Sequence, residues 1–304
     1  EKPLHILWII DESVAADEFQ GLYGKKLRAM GAVDFGGARS LANCSAPSHV
    51  ALRSGVNVRE ASAQLDLRRT PSIWGYAKAA GYRSYMIDGQ HEGAPQNFLY
   101  VPERRLIDEY RSMIASVETD RNIAKELNKR LKTDQPSFGY ALLRGVHFPY
   151  AVNLPDGLVA AGSSPVAQYR AGLSYSKHQF FETLLNGVDR QRVAIIYTAD
   201  HGQNLSRPDL PHCSKEPVAA EYAVPLMMFL PDDLRERYRG GVHQAHMASQ
   251  IFPASLIWMG FEPEATERRY DRDLNQPSAR PLRFGRAVIP AAPDAPVDVQ
   301  PALP

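Results

Sequence analysis

Asp200 and His201 stand side by side, followed by Gly202, at the end of the apolar run 193–199. A carboxylate oxygen beside an imidazole nitrogen suits a divalent cation. Taken alone, the pair reads equally well as a strand-end Asp capping the next turn beside a packed His. Two further apolar runs end in residues of similar chemistry. Residues 4–10 run into Asp11-Glu12-Ser13, and 138–143 into Arg144-Gly145-Val146-His147. A cation on Glu12, Asp200 and His201 leaves a position open, and a serine oxygen placed there is activated, because a cation favours the alkoxide. Cys44-Ser45-Ala46-Pro47 supplies such a serine before a predicted helix, whose first N–H groups can receive an anionic oxygen. Ser48 is its rival, and a helix-capping role for Ser45 is the plainer alternative. Cation, serine and helix end together suit transfer of a phosphoryl or sulfuryl group.

These residues need elements to position them. An apolar run closed by a turn residue reads as a buried strand of a parallel sheet, and ligands sit beyond the carboxyl ends of such strands. Further strands are predicted at 82–87, ending at Asp88, and at 224–230. Helices are predicted at 17–30, closed by Gly31, and at 72–80, stopped by Gly81. Thr119 or Asp120 caps another through Leu131, with Ile123 and Leu127 on its buried face. Residues 169–185 read as one helix, and 245–258 as a helix broken or kinked at Pro253. Residues 89–118 lack a clean period and read as a long excursion, and 151–165 as a surface loop. The alternation gives a three-layer α/β/α sandwich with a mostly parallel central sheet. One catalytic domain covers 1–287, and the Pro-rich stretch 288–304 reads as an extended or disordered tail.

At 304 residues, 44% hydrophobic and 23% charged, the composition is that of a soluble globular domain. A net charge of +1 argues against nucleic acid and against an anionic membrane surface as partner. No apolar run is long enough to span a bilayer, and no signal peptide is visible. The chain opens on Glu1 and reads as processed or cut, with an anchor or signal expected upstream. Cys44 and Cys213 cannot build a disulfide framework and leave the redox compartment open; their separation is not readable from sequence.

In order, these segments resemble the alkaline-phosphatase superfamily in its sulfatase-like branch, and within it the bacterial phosphoethanolamine transferases and their lipoteichoic-acid-synthase relatives. Thr198-Ala199-Asp200-His201-Gly202 is similar to the Ser-Asp-His-Gly metal motif, and Ile9-Ile10-Asp11-Glu12-Ser13 to the first-strand metal motif. Val146-His147-Phe148-Pro149-Tyr150 resembles the His-Gly-Pro-x-Tyr segment whose His faces the substrate phosphate. His212 precedes Val224-Pro225-Leu226-Met227-Met228 much as another family His precedes a Val-Pro-Met strand. The resemblance covers roughly residues 3–275 and implies Ser45, His147 and His212 as catalytic residues. It implies a Zn2+ or Mn2+ ion on Glu12, Ser45, Asp200 and His201, with Asp11, in place of a family glycine, as an added ligand. Asn43, His49 and Lys215 are the expected substrate contacts.

Three departures stand out. The transferases use Thr where Ser45 stands, and they carry several disulfides. Sulfatases have an Arg in place of His49, to support a formylglycine nucleophile, so His49 argues against that chemistry. The resemblance further implies a phospholipid donor such as phosphatidylethanolamine and a glycan or lipid acceptor. It implies a catalytic domain at the periplasmic or extracellular face of a bacterial inner membrane, anchored through a segment absent from this chain. A soluble phosphodiesterase or phosphonate hydrolase, a sulfatase, and a non-catalytic binder of anionic glycans are the alternatives. His243 and His246 read as surface or capping residues, and Arg268-Arg269-Tyr270-Asp271-Arg272 as a solvated face.

Overall fold

Strands too apolar for a sheet edge and helices with one apolar face can be satisfied only by burying the strands between helical layers. The computed structural model describes residues 2–59, 70–91, 93, 96–207, 209–242 and 244–280. Its strands are β1 (His5–Asp11), β2 (Val33–Asp34), β3 (Ala38–Arg39), β4 (Arg83–Asp88), β5 (Glu109–Ser112), β6 (Ser137–Leu142), β7 (Val193–Ala199), β8 (Ala223–Val224) and β9 (Leu226–Phe229). Seven of these form a sheet in the order β2-β9-β7-β1-β6-β4-β5, and β3 pairs with β8 apart from it. From β7 to β5 all neighbours are parallel; β9 runs antiparallel to β7, and β2 to β9.

The helices are α1 (Ala16–Phe19), α2 (Lys25–Ala29), α3 (Ser45–Ser54), α4 (Ile73–Ala79), α5 (Val101–Arg104), α6 (Thr119–Arg130), α7 (Pro165–Lys177), α8 (Phe180–Leu185), α9 (Asp232–Tyr238), α10 (Ile251–Trp258) and α11 (Pro263–Arg269). Every residue of β1 and β7 is buried, and each large apolar side chain among them contributes roughly 1.5–3 kcal/mol. The strand period of two sorts these side chains between the layers. On one face Trp8 donates to Ser255 of α10, and Tyr140 meets Trp74 of α4. On the other, Tyr197 stacks on Phe19 and meets Phe181 of α8. Helices α3, α4 and α10 pack together on the first face and α6, α7 and α8 on the second, which makes the three layers. Registers Asp11↔Ala199 and Ile10↔Leu142 make β1, β7 and β6 end level, at one edge.

Several elements differ from the sequence expectation, each for a local reason. The excursion at 89–118 contains α5 and the edge strand β5, whose Glu-Tyr-Arg-Ser sequence has no apolar run to betray it. The predicted helix at 169–185 starts at Pro165 and breaks at Gln179, which takes a left-handed φ of 55°. Residues 17–30 are α1 and α2 joined by a π-helical turn, Gln20–Gly24. Glu118, not Thr119 or Asp120, precedes α6, because the Asp120 carboxylate accepts the N–H groups of Arg144 and Gly145. Pro225 separates β8 from β9. Pro253 is the third residue of an unbroken α10, where a missing N–H costs the helix no bond. His246 is buried, with its ring on Gln250 and the Gly241 carbonyl. Asp271 is likewise buried within the Arg-rich run, accepting from Ser278 and Ala279. His243 and the tail at 288–304 lie outside the described residues. Among the described residues no helix is long and apolar enough to cross a membrane.

Candidate active site

The level ends of β1 and β7 put Glu12, Asp200 and His201 together, with one ligand atom from each lying within 4.8 Å of the others. Asp200 is held by its inner oxygen: Oδ1 accepts from Ser13 N–H at 3.0 Å and from His201 N–H at 2.8 Å. Ser13 reaches this position with a φ of 61°, and its hydroxyl donates to Glu12 Oε1 at 2.7 Å. His201 Nδ1 lies 2.9 Å from the Gly202 carbonyl, which can only accept, so Nδ1 carries the hydrogen. The Nε2 lone pair therefore faces Asp200 Oδ2 at 3.5 Å, Glu12 Oε1 at 3.7 Å and Ser45 Oγ at 3.3 Å.

This donor set fits a divalent cation on three grounds. Asp200 Oδ2 is fully buried and has no hydrogen-bond partner. The Glu12 carboxyl is pushed well above its ordinary range, first by burial and then by the Asp200 charge. Two carboxylates and a neutral imidazole, converging through lone pairs, are ligands that Zn2+ and Mn2+ both accept.

Ser45 is the first residue of α3, after Cys44 in an extended conformation that gives the helix no side-chain cap. The N–H groups of Ser45 and Ala46 thus lie in the open first turn, and Pro47 has none. Ser48, the rival serine, is buried and donates to the Ala42 carbonyl. A disulfide joins Cys44 to Cys213, 4.8 Å between Cα atoms, and ties the serine turn to the loop that carries His212. The His212 ring lies on His201 at 4.4 Å between centroids, and His147 meets His212 edge-on at 5.7 Å. Burial, then the neighbouring His201, hold His212 down at about 3, so it is neutral.

The structure therefore gathers Glu12, Ser45, Asp200, His201, His147 and His212, and disperses the other four candidates. Asp11 points to the opposite face, where its carboxylate meets Lys177 Nζ at 2.9 Å and Tyr197 OH at 2.5 Å. It is not among the clustered ligand atoms because β1 alternates. Asn43 is buried, with its amide donating to Glu221 Oε2 at 2.8 Å and the Ser214 carbonyl at 3.2 Å; it braces the His212 loop. Lys215 is exposed and lines no part of the cavity beside Ser45, its buried neighbour Ser214 being the residue that turns inward, onto Glu221.

His49 is 1% exposed and lies behind Asp200, with Nε2 3.8 Å from Oδ2. Facing a carboxylate, that nitrogen must carry the hydrogen, so Tyr140 OH, 2.9 Å away, donates to Nδ1. Tyr140 is the donor that sequence reasoning missed, hidden as one aromatic in an apolar strand.

Arg144 and Gly145 were also missed, although they stand at a strand end like the residues that were found. Gly145 has a φ of 59°, and a Cβ there would lie 2.6 Å from the Glu12 carbonyl. Only glycine lets this loop close on the end of β1. Beside Ser45 opens a cavity of about 440 Å³, walled by this loop, Phe148-Pro149, Gln90, His91, Gln96 and Asn97.

The family model for sulfatases matches residues 5–261, and the chain belongs to the Sulfatase family. None of the curated proteins matches it. The C-terminal periplasmic domain of EcEptC from Escherichia coli superposes with a TM-score of 0.74 at 16% identity, over 93% of this chain and 88% of that one. The same domain is also known in complex with Zn. The periplasmic domain of phosphoethanolamine transferase EptC from Campylobacter jejuni gives 0.71 at 15%, over 91% and 95%. The soluble domain of lipooligosaccharide phosphoethanolamine transferase A from Neisseria meningitidis gives 0.66 at 13%, over 84% and 87%. At these identities the likeness is one of fold.

Proposed function

We propose that this protein is a metal-dependent phospho-group transferase. It moves a phospho-alcohol group from a phospholipid donor to a glycan or lipid acceptor through a covalent phospho-Ser45 intermediate. The observation that carries this reading is the placement of Ser45 Oγ, 3.3 Å from the bare Nε2 of His201 and at an open helix start. A zinc or manganese ion on Glu12, Asp200 and His201 would supply Lewis-acid charge that favours the Ser45 alkoxide.

Ser45, its proton lost to solvent, attacks phosphorus, and the bond from phosphorus to the donor alcohol breaks. His147, at the cavity rim, gives the leaving alkoxide its proton. The approach of an anionic ester favours the imidazolium this step needs. His212 positions the ester between His147 and His201, and the first N–H groups of α3 face its non-bridging oxygen. An acceptor hydroxyl then yields its proton to His147 and attacks phosphorus, releasing Ser45. Lipid donor, extracytoplasmic location and an anchor outside this chain belong to the same reading, supported by the fold shared with periplasmic transferase domains.

The test is intact mass after brief incubation of zinc-loaded protein with phosphatidylethanolamine or phosphatidylglycerol, beside Ser45→Ala. A phospho-alcohol adduct on the wild type alone, with equal zinc in both proteins, is the expected result. An adduct that persists in Ser45→Ala would move the nucleophile elsewhere, and loss of zinc from that variant would make Ser45 structural.

A further inference from the structure

Among the described residues lining the cavity beside Ser45, Arg144 is the one arginine or lysine. The Arg144 backbone is fixed by its N–H on Asp120, 2.7 Å away, and its side chain is partly buried on the cavity wall. The guanidinium makes no hydrogen bond or ion pair with any described residue. Arg53 and Arg130, by contrast, are matched with Glu103 and Glu109. A guanidinium on a cavity wall without a protein partner is free to take an anion, and its planar fork suits a carboxylate or phosphate held through two hydrogen bonds.

Among the described residues no acid on the same wall offers itself to a cation. Among the described lining residues Glu12 is the one carboxylate, and it belongs to the cation cluster. Behind the wall, Asp88 is buried and saturated by the N–H groups of Gln90 and His91 and by Tyr110 OH. Gln90, Gln96, Asn97 and Asn153 add neutral amides fit for hydroxyls.

We propose that the alcohol part of the transferred phospho ester bears an anionic substituent, which Arg144 holds, and that a cationic group such as the ammonium of ethanolamine is selected against. This rests on the phospho-transfer reading and narrows its substrate class. It sets the chain's specificity apart from that of the transferases whose fold it shares.

The test is calorimetric binding to zinc-loaded protein of three phosphomonoesters that differ beyond the phosphate: 3-phosphoglycerate, glycerol 3-phosphate and phosphoethanolamine. The expected order is 3-phosphoglycerate first and phosphoethanolamine last, with about tenfold between them, as a charge-assisted pair provides. Arg144→Gln, checked for unchanged zinc content, should bring 3-phosphoglycerate to within about twofold of glycerol 3-phosphate, and Arg144→Lys should restore part of the gap. Phosphoethanolamine binding tightest would overturn the proposal and leave phospho-transfer standing. Equal weakening of all three by Arg144→Gln would also overturn it, since Arg144 would then read the shared phosphate. Failure of every ligand to bind, with zinc in place, would remove the phospho-transfer reading itself.

Discussion

Asp11 and Glu12 are consecutive, equally buried carboxylates at the end of one strand, and they have opposite fates. Asp11 turns into the α6–α7 layer and meets Lys177, which is shared with Asp120, and Tyr197. Its other oxygen accepts the Glu12 N–H. That cluster has its own ammonium counter-charge and is hydrogen-bonded from within the chain. Glu12 turns the other way, toward Asp200 and His201, where negative charge exceeds what the chain supplies. A buried cluster that finds its partners within the chain is framework, and one that does not is waiting for a ligand.

The comparison breaks most readily at Lys177. Lys177→Met leaves Asp11 and Asp120 buried without a counter-charge, and should cost about 3–5 kcal/mol in urea unfolding of the metal-free protein. A near-native midpoint would mean that the Asp11 cluster is not what secures the strand end.

Next comes pH. Burial holds His49 at about 4, against 6.5 in the unfolded chain. Between those values the unfolded chain binds the extra proton, so stability is complete above pH 6.5 and falls as pH drops toward about 4. Its share is about 3 kcal/mol, and metal-free His49→Gln should show a correspondingly flatter profile between pH 7 and pH 4.5. Parallel profiles for the two proteins would assign the acid sensitivity elsewhere.

A smaller effect sharpens the contrast from the metal side. Tyr140→Phe removes the donor that fixes the His49 tautomer behind Asp200, and zinc affinity measured by chelator competition should fall about 10–100-fold. Unchanged affinity would reduce the Tyr140–His49 pair to packing. The smallest effect has the opposite sign. Glu12→Gln should leave metal-free stability unchanged or raise it by up to about 1 kcal/mol, because it removes one of two facing carboxylates. Marked destabilisation would place Glu12 in the framework after all.

The buried strands were legible because β1, β6 and β7 are apolar on both faces, and their level ends followed from parallel pairing. The edge strand β5 was not, since an edge in contact with water needs no apolar run. The helix break at Gln179 carries no glycine or proline to announce it. Within the site, sequence placed Glu12, Asp200, His201 and Ser45 at one edge but could not say which way their neighbours face. The structure turns Asp11 to Lys177, Asn43 to Glu221 and His49 to Tyr140, directions that a position near a strand end or turn does not reveal. Strand alternation alone would have separated Asp11 from Glu12.

The Cys44–Cys213 bond lies one residue from Ser45 and one from His212, yet joins positions 169 apart in sequence. It cannot close until every strand from β1 to β7 has been made. Closing so long a loop restricts the unfolded chain by about 5 kcal/mol in the chain-entropy account. Its larger consequence is one of timing. Nucleophile and histidine are joined covalently only after β7 has been made, and only where thiols are allowed to oxidise. Where they are kept reduced, the newly made chain would hold its nucleophile and its histidine together through the Asn43 hydrogen bonds alone, a built-in delay between synthesis and full competence.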